Sequence, residues 1–154
     1  MMRALPAAVL LAVLGGCGAA RTPPPAAAGF TEFYADSSVV GEVSAPAALA
    51  SGETGMLALR LRLHNRSGRA LELSESTRCT VLRWSVADTR GQTLEAPPNK
   101  PCARQVAART LPPAHTIERI YEVPLTAPLY RTGNRYILRF SFWGYPGRHA
   151  FEMR

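Results

Sequence analysis

Along most of the chain the apolar residues recur at every second position. Leu57, Leu59, Leu61 and Leu63 alternate with Ala58, Arg60, Arg62 and His64. That is the period of a strand with one buried and one wet face, not the 3.6 period of a helix. Asn65-Arg66-Ser67-Gly68 supplies turn chemistry, and Leu71 with Leu73 opens a returning strand. Over Thr80 to Val86, Leu82, Trp84 and Val86 point one way and Val81, Arg83 and Ser85 the other. Asp88-Thr89-Arg90-Gly91 then turns the chain into Gln92 to Glu95. Beyond a loop from Pro97 to Cys102, strands are expected near Gln105 to Arg109, over Ile117 to Val123 with Arg119 awkwardly on the inner phase, and over Tyr136 to Phe142. Pro146-Gly147 reads as a turn before a last edge strand from His149 to Met153. Ser38 to Ala48 reads as the first strand or two, with Pro46 marking an edge or a break. The phase sets Trp143 opposite Phe142, toward solvent beside Tyr145, whereas Trp84 belongs to an inward set. About seven to eight short strands with frequent turn signals predict an all-β antiparallel sandwich, not a βαβ fold.

The N-terminus departs from this pattern. Arg3 precedes an apolar run from Ala4 to Leu14 broken only by Pro6, too short to span a bilayer but suited to a secretory leader. The run ends in Leu14-Gly15-Gly16-Cys17, which resembles the lipobox of bacterial lipoproteins: an apolar residue, two small residues that pass a narrow protease site, and a cysteine whose thiol carries lipid. The resemblance implies a signal peptide over residues 1–16 and lipidation at Cys17. An ordinary leader cut after Ala19 or Ala20 is the alternative. Each buried methylene contributes about 0.8 kcal/mol, so two or three acyl chains hold firmly where one does not. Residues 17–35 then read as the lipidated cysteine and a Pro/Ala-rich linker carrying Pro23, Pro24 and Pro25, an extended spacer off the membrane, and residues 36–154 as the domain. Gly18 is not the aspartate that keeps lipoproteins in the inner membrane of some Gram-negative bacteria, which implies an outer-membrane address if the cell has two membranes.

Composition fits a globular domain, with 47% hydrophobic and 19% charged residues. The 18 Lys+Arg against 11 Asp+Glu give a net charge of +7, and Lys100 is the only lysine. With so much Ala, Gly and Pro, that skew also matches a GC-rich coding sequence, so it argues only weakly for an anionic partner. If Cys17 carries lipid, Cys79 and Cys102 remain as an even pair in an oxidising compartment, which predicts one disulfide. Two free buried thiols are the alternative. A redox pair is disfavoured because no C-x-x-C spacing occurs.

The stretches "HNRSGRALEL", "CTVLRWSVADTRGQTL" and "LPPAHTIERIYEVPL" resemble the immunoglobulin-like domains related to the BsuPI-type proteinase inhibitors. Those domains share a strand, an Asn-x-Ser-Gly-like turn, a strand, a V-x-D-x-x-G hairpin and an L-x-P-G corner, which this chain writes Leu111-Pro112-Pro113-Ala114. The resemblance runs from Leu57 to Phe142. It implies an immunoglobulin-like antiparallel sandwich, and proteinase inhibition through an exposed loop such as Ala96 to Pro101.

No catalytic set accompanies this fold reading. His64, His115 and His149 show neither H-x-x-x-H nor H-E-x-x-H spacing, and G-x-S-x-G, S-x-x-K and glycine-rich phosphate loops are absent from the sequence. No enzyme activity, metal or cofactor is expected. The sharper candidate is basic. Alternation places Arg60 and Arg62 on one outer face with Arg66 and Arg69 near the following hairpin, and Arg83 and Arg139 join them if their strands are neighbours. Such a cluster suits an anionic partner, and a solvated face that discourages edge pairing is the plain alternative. Nucleic acid is disfavoured, since stacking aromatics are not interleaved with the arginines. The leading expectation is a membrane-tethered cell-envelope lipoprotein, its domain outside the cytoplasm, acting as a non-catalytic module that binds an envelope protein or an anionic envelope polymer by end loops or a sheet edge. The rival expectation is the proteinase inhibitor.

Overall fold

The structure, a computed structural model, describes residues 29–50, 55–75, 80–98 and 107–154. Cys17, Cys79 and Cys102 lie outside the described residues, as do the leader and residues 99–102 of the predicted loop. Eleven strands are present among the described residues, more than the pattern predicts. One sheet runs β1 (Thr31–Ala35), β2 (Val39–Ser44), β4 (Met56–Asn65), β9 (Thr116–Pro124). The other runs β3 (Ala48–Leu49), β11 (Tyr145–Met153), β10 (Arg135–Phe142), β6 (Leu82–Asp88), β7 (Thr93–Glu95). A two-stranded piece pairs β5 (Leu71–Glu75) with β8 (Ala107–Leu111). All pairings are antiparallel except β3 with β11. With β2, β4 and β9 as strands A, B and E, and β6, β7, β10 and β11 as C, C′, F and G, this is an immunoglobulin-like sandwich.

Alternation builds the core as expected. Leu57, Leu59, Leu61 and Leu63 are fully buried, and they face Leu138, Phe142 and Phe151 of the opposite sheet. The short strand β1 lies inside the stretch whose composition reads as linker, so the sheet begins at Thr31, ahead of residue 36. A bulge between Glu32 and Tyr34 turns two successive aromatics to one side: Phe33 packs edge-on to Phe140 (ring centroids 5.0 Å apart) and Tyr34 meets Tyr145 (4.8 Å).

Two local expectations are corrected. The turn before the last strand is Trp143-Gly144, not Pro146-Gly147, which lies within β11. Phe142 pairs with Tyr145, and both central residues have positive φ (51° and 85°), the two-residue hairpin whose twist matches the flanking strands. The same left-handed backbone ends the alternation, so Trp143 is 9% exposed instead of facing solvent, and its backbone N–H donates to Val81 O (2.9 Å).

The long β4–β9 ladder bends at its end into the β5–β8 pair, and one side chain holds the bend. Asn65 has no exposure. Its Nδ2 lies 2.7 Å from Arg69 O, 2.9 Å from Leu111 O and 3.0 Å from Pro112 O. Its Oδ1 accepts from the N–H (2.9 Å) and hydroxyl (2.7 Å) of Ser67. Across the bend, Ala114 N–H donates to Asn65 O (2.9 Å) with φ at +57°. Alanine thus takes a left-handed conformation that glycine adopts more readily, at the end of Leu111-Pro112-Pro113-Ala114.

At the far end of the second sheet, Glu95 ties β7 to the segment after β9. Its carboxylate accepts from Thr126 Oγ1 (2.6 Å), Tyr130 OH (2.6 Å) and Thr126 N–H (3.1 Å). Burial acts to raise the carboxyl's pKa, and these donors outweigh it, leaving Glu95 below its ordinary value, while burial and the carboxylate push the Tyr130 hydroxyl up. A depressed carboxyl contributes stability above its unfolded pKa, near 4.5, and loses it as pH falls. Glu95→Gln should therefore cost about 1 kcal/mol at neutral pH, and thermal melts at successive pH values should show that gap closing between about pH 5 and pH 3.

Candidate interaction surfaces

Alternation and register fix what each sheet shows to solvent. On the first sheet, β4 turns Arg60, Arg62 and His64 outward. Register sets Arg62 between Glu42 and Glu118, Arg60 between Ser44 and Ile120, and His64 between Val40 and Thr116. The Nε atoms of Arg60 and Arg62 each lie 2.5 Å from one oxygen of Glu118, and both guanidiniums hold that carboxyl below its usual range. Phe30 lies over the same pair, with Arg62 Cζ 3.7 Å and Arg60 Cζ 5.4 Å from the ring centroid. Val40, Glu42, Arg62, His64, Arg66, Thr116 and Glu118 line a shallow groove of about 820 Å³.

The sequence-derived arginine set is thus brought together only in part. Arg60 and Arg62 share a face as expected, and Arg66 borders the groove while Arg69 is exposed in the β4–β5 turn. Arg83 and Arg139 stand on the other sheet and cannot join them. Glu32, Glu42, Glu118 and Glu122 share the outer phase with Arg60 and Arg62, so carboxylates outnumber guanidiniums on the strands of that face.

The outer phase of the second sheet is the basic one. It carries Arg83 on β6, Arg135 and Arg139 on β10, and Arg148 on β11. The register sets Arg139 directly opposite Arg148. Arg148 escaped the sequence reading because this pairing depends on where the hairpin turns, and the Pro-Gly signal misplaces that point.

The third surface is an edge. In an immunoglobulin-like sandwich strand D pairs beside E; here β8, at the D position, pairs with β5 instead. Among the described residues no strand pairs the outer side of β9, nine residues long. Asn65 N–H donates to His115 O and Leu125 N–H to Gly55 O, which puts the odd residues of β9 in the ladder to β4. By alternation, Thr116, Glu118, Ile120 and Glu122 aim their backbone groups at the open side. Ile120, in the middle, is 67% exposed.

The histidines serve local contacts: His64 Nδ1 lies 3.0 Å from Thr116 Oγ1, His115 Nδ1 2.9 Å from Pro113 O, and His149 Nε2 2.9 Å from Pro46 O. Among the described residues no group of His, Cys, Asp and Glu is arranged to hold a metal ion, and no helix is long and apolar enough to cross a membrane.

No family model and no curated protein matches the chain. Solved structures give distant likenesses. A β-glucosidase from Listeria innocua in complex with gluconolactone is 12% identical at a TM-score of 0.46, over 75% of this chain and 16% of that one. Its complex with glucose gives a TM-score of 0.44 over the same shares. An alkylpurine DNA glycosylase from Pseudomonas fluorescens, bound to DNA containing an abasic site analog, is 15% identical at 0.41, over 71% of this chain and 28% of that one. This chain spans only a small part of either enzyme, and nothing of their chemistry transfers to it.

Proposed function

We propose that the chain is a membrane-tethered cell-envelope lipoprotein, lipidated at Cys17, whose sandwich is a non-catalytic binding module that takes a protein partner along the open side of β9. The open edge carries the binding half of this reading. An extended segment laid there gains main-chain hydrogen bonds, and side chains above the sheet set its identity. Glu118, Ile120 and Glu122 share one face of β9, and Glu118 is already held by Arg60 and Arg62, so the fitting partner sets an apolar residue against Ile120 and a basic one against Glu122. The lipobox-like Leu14-Gly15-Gly16-Cys17 carries the address.

Mass spectrometry of the mature product tests the address: acyl chains on an N-terminal Cys17 are expected, and a product lacking them ends it. Capture from a solubilised envelope fraction tests the edge. Ile120→Glu is expected to lower recovery of the partner about tenfold, and an Arg60→Ala/Arg62→Ala variant to leave it unchanged. If the double variant loses the partner and Ile120→Glu keeps it, the arginine face is the contact.

Proteinase inhibition stays as a second reading because Ala114 takes a left-handed conformation at the family's glycine corner, and Ala96, Pro97 and Pro98 are exposed where the candidate loop begins. A protease panel with no inhibition at micromolar concentration would retire it.

A further inference from the structure

We infer that the outer face of the β3-β11-β10-β6-β7 sheet is a docking surface for an anionic phospholipid bilayer, centred on Arg139 and Arg148. The inference goes beyond the tether and the partner edge, and its chemistry depends on neither.

Arg139 and Arg148 are exposed and directly opposed across the β10–β11 ladder. Like charges so placed destabilise a strand pair, and an anion lying against them relieves it. Arg83 stands beside Ser141 on the next strand and donates to its hydroxyl (3.3 Å). Arg135 extends the row opposite Glu152, the one carboxylate that β6, β10 and β11 turn to this face. Between the arginines the register places Ser85, Ser141, Pro146, Ala150 and the half-buried Ile137. The arginines are thus spread over one face of three neighbouring strands, an arrangement that suits a plane of phosphates. Guanidinium forks also suit phosphate oxygens.

The two outer faces give the domain a charge polarity across its thickness, with carboxylates in excess on one sheet and guanidiniums on the other. Near an anionic surface that polarity orients the molecule with the second sheet down. The open edge of β9 then faces sideways and stays accessible.

The test uses the full chain carrying Cys17→Ser, which removes the acylation site, in co-sedimentation with phosphatidylglycerol-containing vesicles and with pure phosphatidylcholine vesicles. Salt-sensitive preference for the anionic vesicles is expected. Arg139→Gln/Arg148→Gln should weaken that binding about 30-fold, roughly fivefold per arginine, with a melting temperature equal to or above wild type. Arg60→Gln/Arg62→Gln should bind as wild type does. Equal binding by the Arg139/Arg148 variant, an equal loss in the Arg60/Arg62 variant, or no preference for anionic vesicles would overturn the inference. Retention of wild type on soluble polyphosphate but not on vesicles would also overturn it and name a soluble polyanion as the occupant. Failure of Cys17 acylation in cells would sink the tether and leave the vesicle result standing.

Discussion

Asn65→Asp is expected to lower stability by about 3–5 kcal/mol at neutral pH, the cost of an uncompensated buried charge. The replacement is nearly isosteric, so packing changes little. What changes is the chemistry of one group: an amide nitrogen within 3.0 Å of three carbonyl oxygens becomes a carboxylate oxygen facing the same three acceptors. Asn65→Ala should cost less, about 2–4 kcal/mol, since it orphans those carbonyls and the Ser67 donors without adding charge. The two variants separate by pH. Protonating the new carboxyl restores one donor, so burial raises its pKa and the folded state is favoured as pH falls. The melting temperature of Asn65→Asp should rise as pH is lowered from about 7 to 5, while that of Asn65→Ala should not. A loss below about 1 kcal/mol for both variants would show that the bend holds without this side chain.

The same bend is what gives the molecule its open edge. By joining β4 to β5 and β8 to β9 around Asn65, it draws the strand at the D position onto β5 and away from the outer side of β9. The Asn-x-Ser-Gly segment is visible in the sequence as a turn, and the turn is there. Its role as the corner of a ladder continuing on both sides is not visible, because it depends on carbonyls at Leu111 and Pro112, some 46 positions away. Period-two alternation located β4, β10 and most of β9 because those strands bury one face only. Arg119 broke that pattern on β9 for a reason register supplies: it opposes Leu61 on an edge strand, where a long side chain leans out, and its NH1 donates to Glu118 O (2.9 Å). Strand β1 was hidden because its bulge puts Phe33 and Tyr34 on the same side, and alternation is the only signal five residues can carry. The arginines divide likewise. That Arg60 and Arg62 share a face follows from spacing alone, whereas the opposition of Arg139 and Arg148 needs the position of a hairpin turn signalled by a buried tryptophan in place of Asn-Gly.

Phe33 shows how the two sheets close at the β1 side, and a mutant cycle reads it with a change of sign. Its ring lies over Gly41 of β2 and reaches Gly147 of β11. The atoms nearest a Cβ on Gly41 all belong to Phe33, the first at 2.6 Å (Cζ), whereas a Cβ on Gly147 would meet Phe140 Cζ at 2.5 Å and Phe33 Cδ2 at 2.7 Å. Neither glycine has a positive φ, so the space above it, not backbone freedom, requires glycine there. Gly41→Ala is expected to cost about 2 kcal/mol in wild type, through overpacking or expulsion of the ring. In a Phe33→Ala background the obstacle is gone, and alanine restricts the unfolded chain more than glycine does, so the same substitution should be neutral or stabilise by about 0.5 kcal/mol. Gly147→Ala should not reverse in that background, because Phe140, paired directly opposite Gly147, still fills the space. Urea unfolding of the singles and doubles measures both couplings. If Gly41→Ala costs the same with and without Phe33, β1 does not seal the sandwich through this ring. If both glycines reverse together, Phe33 alone occupies the seam and the Phe140 contact carries no weight.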